Sequence, residues 1–330
     1  MGKCETMNTE VMLVTVAALA VTALAVPVCI VVARRTGMMD RPGALKTHQA
    51  PVPYLGGVAV FAGVVVGGSA GRPIVLIPMA AALAVGIGDD RFGISPQLRL
   101  LAQLGVGAGI AATQPVHLPG WLGVPLVMAA TVVLVNGFNL LDGLDMLAAG
   151  VGLAGAVVFA VITHGAARLT AASLAGALVG FLWYNRPPAR IYLGDGGTYL
   201  LGASMTLLLA QAWGVGVTGT TGVVALALLA VPVTEVACAI VRRRRSGGSI
   251  LDGDRGHPYD RLVSVGWSRT AASSAYIAVE VVVAVAVAVV VMVGHASMAV
   301  ALGIDVGVAV ALLGGAALAG GMNNPSGTRP

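Results

Sequence analysis

Five polar clusters interrupt an otherwise apolar chain, and each contains aspartate. Asp89 and Asp90 are adjacent at the edge of an apolar run, two like charges that need a cation beside them. Mg²⁺ is the usual hard cation that carboxylate oxygens hold next to phosphate, and Mn²⁺ is its substitute. The plain alternative is a solvated turn helped by Arg91. Segment 136–145 places Asn136, Asn139, Asp142 and Asp145 at every third position. Neighbours in that series face each other on a helix, but each step drifts by about 60°, so one α-helical face cannot hold all four. Gly137 and Gly143 point to a broken helix whose amides and carboxylates converge on a ligand; capping explains one or two of the four. Asp195 stands between Gly194 and Gly196-Gly197, where a phosphate or metal can approach the backbone and a helix start offers N–H donors, unless the motif is only a turn.

The other two clusters are more basic. Residues 40–57 hold Lys46 and His48, which can meet an anion, among Pro42, Pro51, Pro53 and Gly56-Gly57, which break helix and strand alike. Residues 242–270 open with Arg242 to Arg245, a run that fixes topology and touches anionic lipid. His257 follows among Asp252, Asp254, Arg255, Asp260 and Arg261, either solvated or catalytic.

The elements that must position these residues are membrane helices. Of 330 residues, 57% are hydrophobic and 10% charged, against about 25% charged in a soluble domain. With a mean hydropathy of +0.91, this excludes a cytosolic enzyme, a disordered chain and a secreted disulfide scaffold. Cys4, Cys29 and Cys238 have no metal or redox spacing. Eleven apolar stretches are expected to span, with ten as the alternative count: roughly 11–33, 54–70, 73–88, 98–113, 121–138, 146–163, 169–184, 198–214, 219–241, 271–294 and 296–320. Glu5 and Glu10 precede the first and Arg34 and Arg35 follow it, the reverse of a cleaved signal, so the N-terminus is expected outside. Alternation then puts 16 of the 19 basic residues inside and leaves Lys3, Arg72 and Arg168 outside. The net charge of +5 therefore reads as topology and not as a nucleic-acid footprint. Nine of the 14 carboxylates share the inside face, as an active site at the cytoplasmic surface requires. The expectation is an all-α polytopic membrane protein, a single 1–330 domain with a disordered tail at 321–330.

In order, these motifs resemble the polyprenyl-phosphate N-acetylhexosamine-1-phosphate transferase family, from Asp40 to Arg261. Asp40, Pro42, Lys46, His48, Pro51, Pro53, Gly56 and Gly57 match its first motif, and Asp89 and Asp90 its aspartate pair. Asn139, Asp142, Gly143 and Asp145 match N-x-x-D-G-x-D, and Tyr192, Gly194, Asp195 and Gly197 match aromatic-x-G-D-x-G. The resemblance implies a multi-pass plasma-membrane enzyme that moves a sugar 1-phosphate from a UDP-sugar to a polyprenyl phosphate, releases UMP and starts a cell-envelope glycan. It implies Asp195 as the Mg²⁺ ligand, Asp89 and Asp90 beside the lipid phosphate, and Asn139, Asp142 and Asp145 in the nucleotide site. Tyr192 would stack uracil, Asp89 would be the disputed base, and Lys46, His48, Arg255 and His257 would serve the substrates. The sugar-type D-R-x-H-x-H-H-R-L loop keeps only His257 here, with Tyr259 and Asp260 replacing later histidines. This loop also differs from the triple-His loop of muramyl-pentapeptide transferases, so a GlcNAc-type donor is favoured over that one. A homodimer is compatible with the reading. A transporter is the rival, because Glu235, Glu280 and Asp305 lie within spans with no Lys or Arg nearby to name as a partner; a non-catalytic scaffold is the third reading.

Overall fold

The computed structural model describes residues 2–41, 50–114, 120–214, 227–247, 249, 256–293 and, beyond these, 303–304, 307–308 and 311–312. The elements are α1 (Gly2–Thr36), β1 (Met39–Asp40), β2 (Val52–Pro53), α2 (Gly56–Gly71), α3 (Leu76–Phe92), α4 (Pro96–Thr113) and α5 (Gly120–Leu141). They continue with α6 (Leu147–Ile162), α7 (Gly165–Asn185), α8 (Gly194–Gly214), α9 (Ala230–Arg245), α10 (Pro258–Ser264) and α11 (Arg269–Val293). The first eight expected stretches and the tenth each overlap one of these helices; of the ninth, 219–241, residues 219–226 lie outside the described residues and the helix begins at Ala230, and α10 is an addition. The eleventh, 296–320, lies almost wholly outside the described residues, as does the tail at 321–330.

Among the described residues the chain is almost wholly helical, as an all-α membrane protein is. Among the described residues, five helices are both long and apolar enough to cross a bilayer: Asn8–Thr36, Pro73–Phe92, Trp121–Leu141, Gly165–Asn185 and Arg269–Val293. Helices α2 and α6 are apolar but shorter, at 16 residues each. One correction concerns residues 40–57, which are not wholly strand-free: Met39 pairs with Pro53 and Asp40 with Val52 in a two-stranded antiparallel ribbon. Proline is tolerated there because the ribbon has only edges.

Two helices form the centre. Helix α7 packs against α1, α2 and α6, and α8 against α2, α3, α4, α5 and α6. Lipid tails are as apolar as leucine, so membrane helices associate through close packing, which small side chains permit. A Cβ at Gly180 of α7 would sit 2.6 Å from the Leu19 carbonyl of α1, and one at Gly67 of α2 would strike Ser173 of α7. The outer faces are apolar and exposed: Met12, Leu13, Val16 and Leu24 on α1, and Val282, Val285 and Val289 on α11.

Candidate active site

Three helix ends bring most of the polar residues together. Helix α3 closes on Gly93, whose positive φ of 65° lets its N–H return to the Asp89 carbonyl at 2.9 Å. Ile94 N–H then donates to Asp89 Oδ1 at 2.9 Å, and Ser95, followed by Pro96, caps α4 through the Leu98 N–H. This tight turn carries Arg99 back, placing Nη1 3.2 Å from Asp89 Oδ2. The Tyr199 hydroxyl donates to the same oxygen at 2.8 Å. Asp89 is therefore committed to partners on both oxygens. Asp90, one residue on, faces α8 instead, and its Oδ2 accepts from the Gly196 N–H at 3.2 Å.

Asp195 lies in the first turn of α8, ahead of the apolar stretch. Its Oδ1 accepts from Asn139 Nδ2 at 2.6 Å, and the same amide lies 3.3 Å from Thr198 Oγ1. Burial, and then the neighbouring Asp89 carboxylate, push Asp195 up to about 6, against the opposing pull of Asn139 and Arg99. Asp142, in the turn between α5 and α6, is held well above the usual carboxylate range by burial and then by Asp195, Asp90 and Asp145. Glycines on α2 and α3 let these helices close on the start of α8. A Cβ at Gly86 would collide with the Asp195 carbonyl, and one at Gly57 with the backbone of Gly197.

Tyr192 hangs beside this cluster on a short ladder. Its N–H donates to the Pro53 carbonyl at 2.8 Å, and its carbonyl accepts from Gly56 N–H at 3.0 Å. Burial, followed by the charges of Asp145, Asp40 and Asp142, pushes its hydroxyl up to about 12. Asp145 holds the same loop by accepting from Ala189 N–H at 3.0 Å. Asn185 ties the loop to the turn, accepting from Met146 N–H and donating to the Ile191 carbonyl, both at 2.9 Å. Met146 sits at φ 62°, a strained conformation for a side-chain-bearing residue that this bond supports.

His257 is buried, not solvated. Its Nδ1 lies 3.1 Å from Glu235 Oε2, and its ring stacks on Tyr259 at 5.0 Å between centroids. Tyr259 donates to the Leu140 carbonyl at 2.8 Å and fills the space that Gly143 leaves open, so the stack adjoins the 139–145 segment. Asp260 accepts from the N–H groups of Gly256 and His257, capping α10. Tyr259 and Asp260 thus have structural roles in the loop.

Two expectations need correction. Asn136 does not converge with the other three polar residues: its amide donates to Gln103 Oε1 on α4 at 2.8 Å and to the Val132 carbonyl at 2.7 Å. Helix α5 also runs unbroken through Gly137, which is small because Pro232 of α9 packs on it; the helix ends only after Leu141. The second correction is Glu235, which does have partners, a histidine and a tyrosine instead of the Lys or Arg sought in the spans. Lys46, His48, Arg255 and Asp305 lie outside the described residues. Arg99, Thr198, Tyr199, Asn185 and Tyr276 were not singled out for the site by sequence. Thr198 and Tyr199 had a signal, standing three and four residues after Asp195 on one helical face.

The donor set suits a hard cation. After burial, the Asp195 charge is the largest cause that holds both Asp90 and Asp142 above the usual carboxylate range, a cost that a divalent ion would offset. Among the described residues, no group of three or more His, Cys, Asp or Glu side chains is placed to hold a metal ion by itself.

Residues 73–212 match the family described as glycosyl transferase family 4. The chain is 32% identical over 260 residues to a protein of Bacillus subtilis named a probable undecaprenyl-phosphate N-acetylglucosaminyl 1-phosphate transferase, covering 72% of this chain and 73% of that one. It is 31% identical over 289 residues to a decaprenyl-phosphate N-acetylglucosaminephosphotransferase of Mycobacterium tuberculosis, covering 72% and 71%. An Escherichia coli undecaprenyl-phosphate alpha-N-acetylglucosaminyl 1-phosphate transferase shares 26% over 270 residues, covering 73% of each chain.

Proposed function

The chain belongs to glycosyl transferase family 4, and from that premise we propose that it transfers N-acetylglucosamine 1-phosphate from UDP-GlcNAc to a membrane polyprenyl phosphate, releasing UMP. The names of its relatives support the substrates. The observation that carries the reading is the meeting of Asp90, Asn139 and Asp195 from three separate helix ends.

An oxygen of the lipid phosphate attacks the phosphorus that carries the sugar, and the bond from that phosphorus to the bridging oxygen breaks. UMP leaves with the bridging oxygen. A bound Mg²⁺, held by Asp195 with Asp90 nearby, would offset the phosphate charge. Asn139 orients Asp195 through the 2.6 Å bond. Asp89, with both oxygens engaged by Ile94, Arg99 and Tyr199, holds the α3–α4 turn against α8. The lipid phosphate is already ionised near neutral pH, so no strong base is required of Asp89. Tyr192, Asp142 and Asp145 serve the nucleotide, while Lys46, His48 and Arg255 supply positive charge, and His257 meets the donor's pyrophosphate. Water exclusion and alignment do the rest, as in other phosphoryl transfers, where positioning and electrostatics dominate.

The asymmetry of basic residues supports eleven crossings, an outside N-terminus and a site on the cytoplasmic face of the plasma membrane. Purified protein should release UMP from UDP-GlcNAc only when polyprenyl phosphate and Mg²⁺ or Mn²⁺ are both present. Release from no UDP-sugar in a panel, or only from a muramyl-pentapeptide donor, would overturn the assignment.

A further inference from the structure

Glu235 is fully buried on α9 and is not used by the chemistry described above. Its two oxygens have different donors: Oε1 accepts from the Tyr276 hydroxyl of α11 at 3.0 Å, and Oε2 lies 3.1 Å from His257 Nδ1. A carboxylate accepts at both oxygens, and the pairing of Oε2 with Nδ1 is the one in which the ring donates Nδ1–H. A neutral ring then presents a bare lone pair at Nε2, which a phosphate oxygen would repel. Only the imidazolium offers N–H groups at both positions, and a buried cation needs a counter-charge within reach.

We propose that Glu235 is a positioning residue for the sugar-nucleotide donor: it takes the Nδ1–H of His257 and balances the charge of the imidazolium whose Nε2–H meets the donor's pyrophosphate. The inference rests on the reading of His257 given under Proposed function. The surroundings leave the ring little freedom. Tyr259 stacks on it with planes 5° apart, Tyr276 packs edge-on to Tyr259 at 6.1 Å, and Asp260 pins the His257 backbone. No single helix holds this arrangement. Glu235 comes from α9, His257 and Tyr259 from the start of α10, and Tyr276 from α11, so one carboxylate joins the start of α10 to two helices, beside the bond from Tyr259 to the Leu140 carbonyl.

The test compares Glu235→Gln, Glu235→Asp, His257→Ala and the Glu235→Gln/His257→Ala double variant in the UMP-release assay, varying each substrate in turn. Glu235→Gln keeps an acceptor but removes the charge, and kcat/KM for UDP-GlcNAc should fall about ten- to a hundredfold, as for a lost hydrogen bond to a charged group. The KM for polyprenyl phosphate and inhibition by uridine, which has no phosphate, should stay within about twofold. Glu235→Asp should recover a large part of the loss, and the double variant should be no worse than His257→Ala, because the two residues act as one unit. A merely structural Glu235 would instead weaken both substrates and uridine alike, gain nothing from aspartate, and add its loss to that of His257→Ala; that result overturns the proposal. Full activity in His257→Ala is a separate failure, since it removes the donor-site reading on which the proposal rests. Should Glu235→Gln not fold, Tyr276→Phe tests the same lock from the other oxygen, with a smaller loss confined to UDP-GlcNAc expected and equal loss for both substrates refuting it.

Discussion

At the residue scale, the site depends on carboxylates held in place by neutral and cationic donors. Asp195→Asn preserves shape and can still accept from Asn139, but an amide is a far poorer Mg²⁺ ligand than a carboxylate. Turnover should fall by about 10²–10³, the usual cost of removing one electrostatic stabiliser, while the protein elutes and melts like the parent. Parent-like UMP release would remove Asp195 from the metal role. Tyr199→Phe deletes the 2.8 Å bond to Asp89 and leaves Arg99 and Ile94 in place. A lost hydrogen bond to a charged group is worth about 1.5–3 kcal/mol, so the melting temperature in detergent should fall, with UMP release following as the α3–α4 turn loosens from α8; an unchanged melting temperature and activity would show this contact to be idle.

At the element scale, function depends on how closely helix backbones approach. The first turn of α8 can bring Asp195 to Asp90 only because Gly57 and Gly86 leave room for it. In Gly86→Ala the new methyl meets carbonyl backbone, which no rotamer change relieves. Overpacking of this kind costs about 1–3 kcal/mol, so the melting temperature in detergent should drop and UMP release should fall with it. Gly105→Ala is the matched control, a mid-helix glycine on α4 with nothing near its would-be Cβ. Alanine there gains about 1 kcal/mol of helix propensity, so stability should hold or rise and activity should persist. Equal damage from both substitutions would mean that the approach of α3 to α8 is not what limits the site.

At the scale of the whole molecule, the apolar faces of α1 and α11 suit lipid, and exposed Phe92, Trp183 and Trp267 stand near helix ends on the side of the site. Arg186 packs over the Trp183 ring at 4.1 Å, an aromatic–cation pair of the kind that suits a headgroup boundary. The topology inferred from basic residues places exposed Ser246, just after Arg242 to Arg245, in the cytoplasm. In a variant lacking Cys4, Cys29 and Cys238, Ser246→Cys should react with an impermeant maleimide only after cells are permeabilised. Labelling in intact cells would reverse the orientation and separate the site from a cytoplasmic UDP-sugar.

Much of this protein could be read from one dimension. Hydropathy determined that it is helical and membrane-embedded, because a bilayer leaves lone backbone groups no partner outside a helix or closed barrel. The order and types of Asp89, Asp90, Asn139, Asp142, Tyr192 and Asp195 carried the resemblance to the family and singled out the residues proposed for the site. Only the tertiary structure decided which of these residues meet. It turned Asn136 toward Gln103, gave Asp89 to Arg99 and Tyr199, and joined Glu235 to His257 across 22 positions of chain. Pattern and spacing report which face of a helix a residue occupies. Which helix stands opposite that face follows from backbone approach at glycines such as Gly57 and Gly86, and that is a property of the packed bundle.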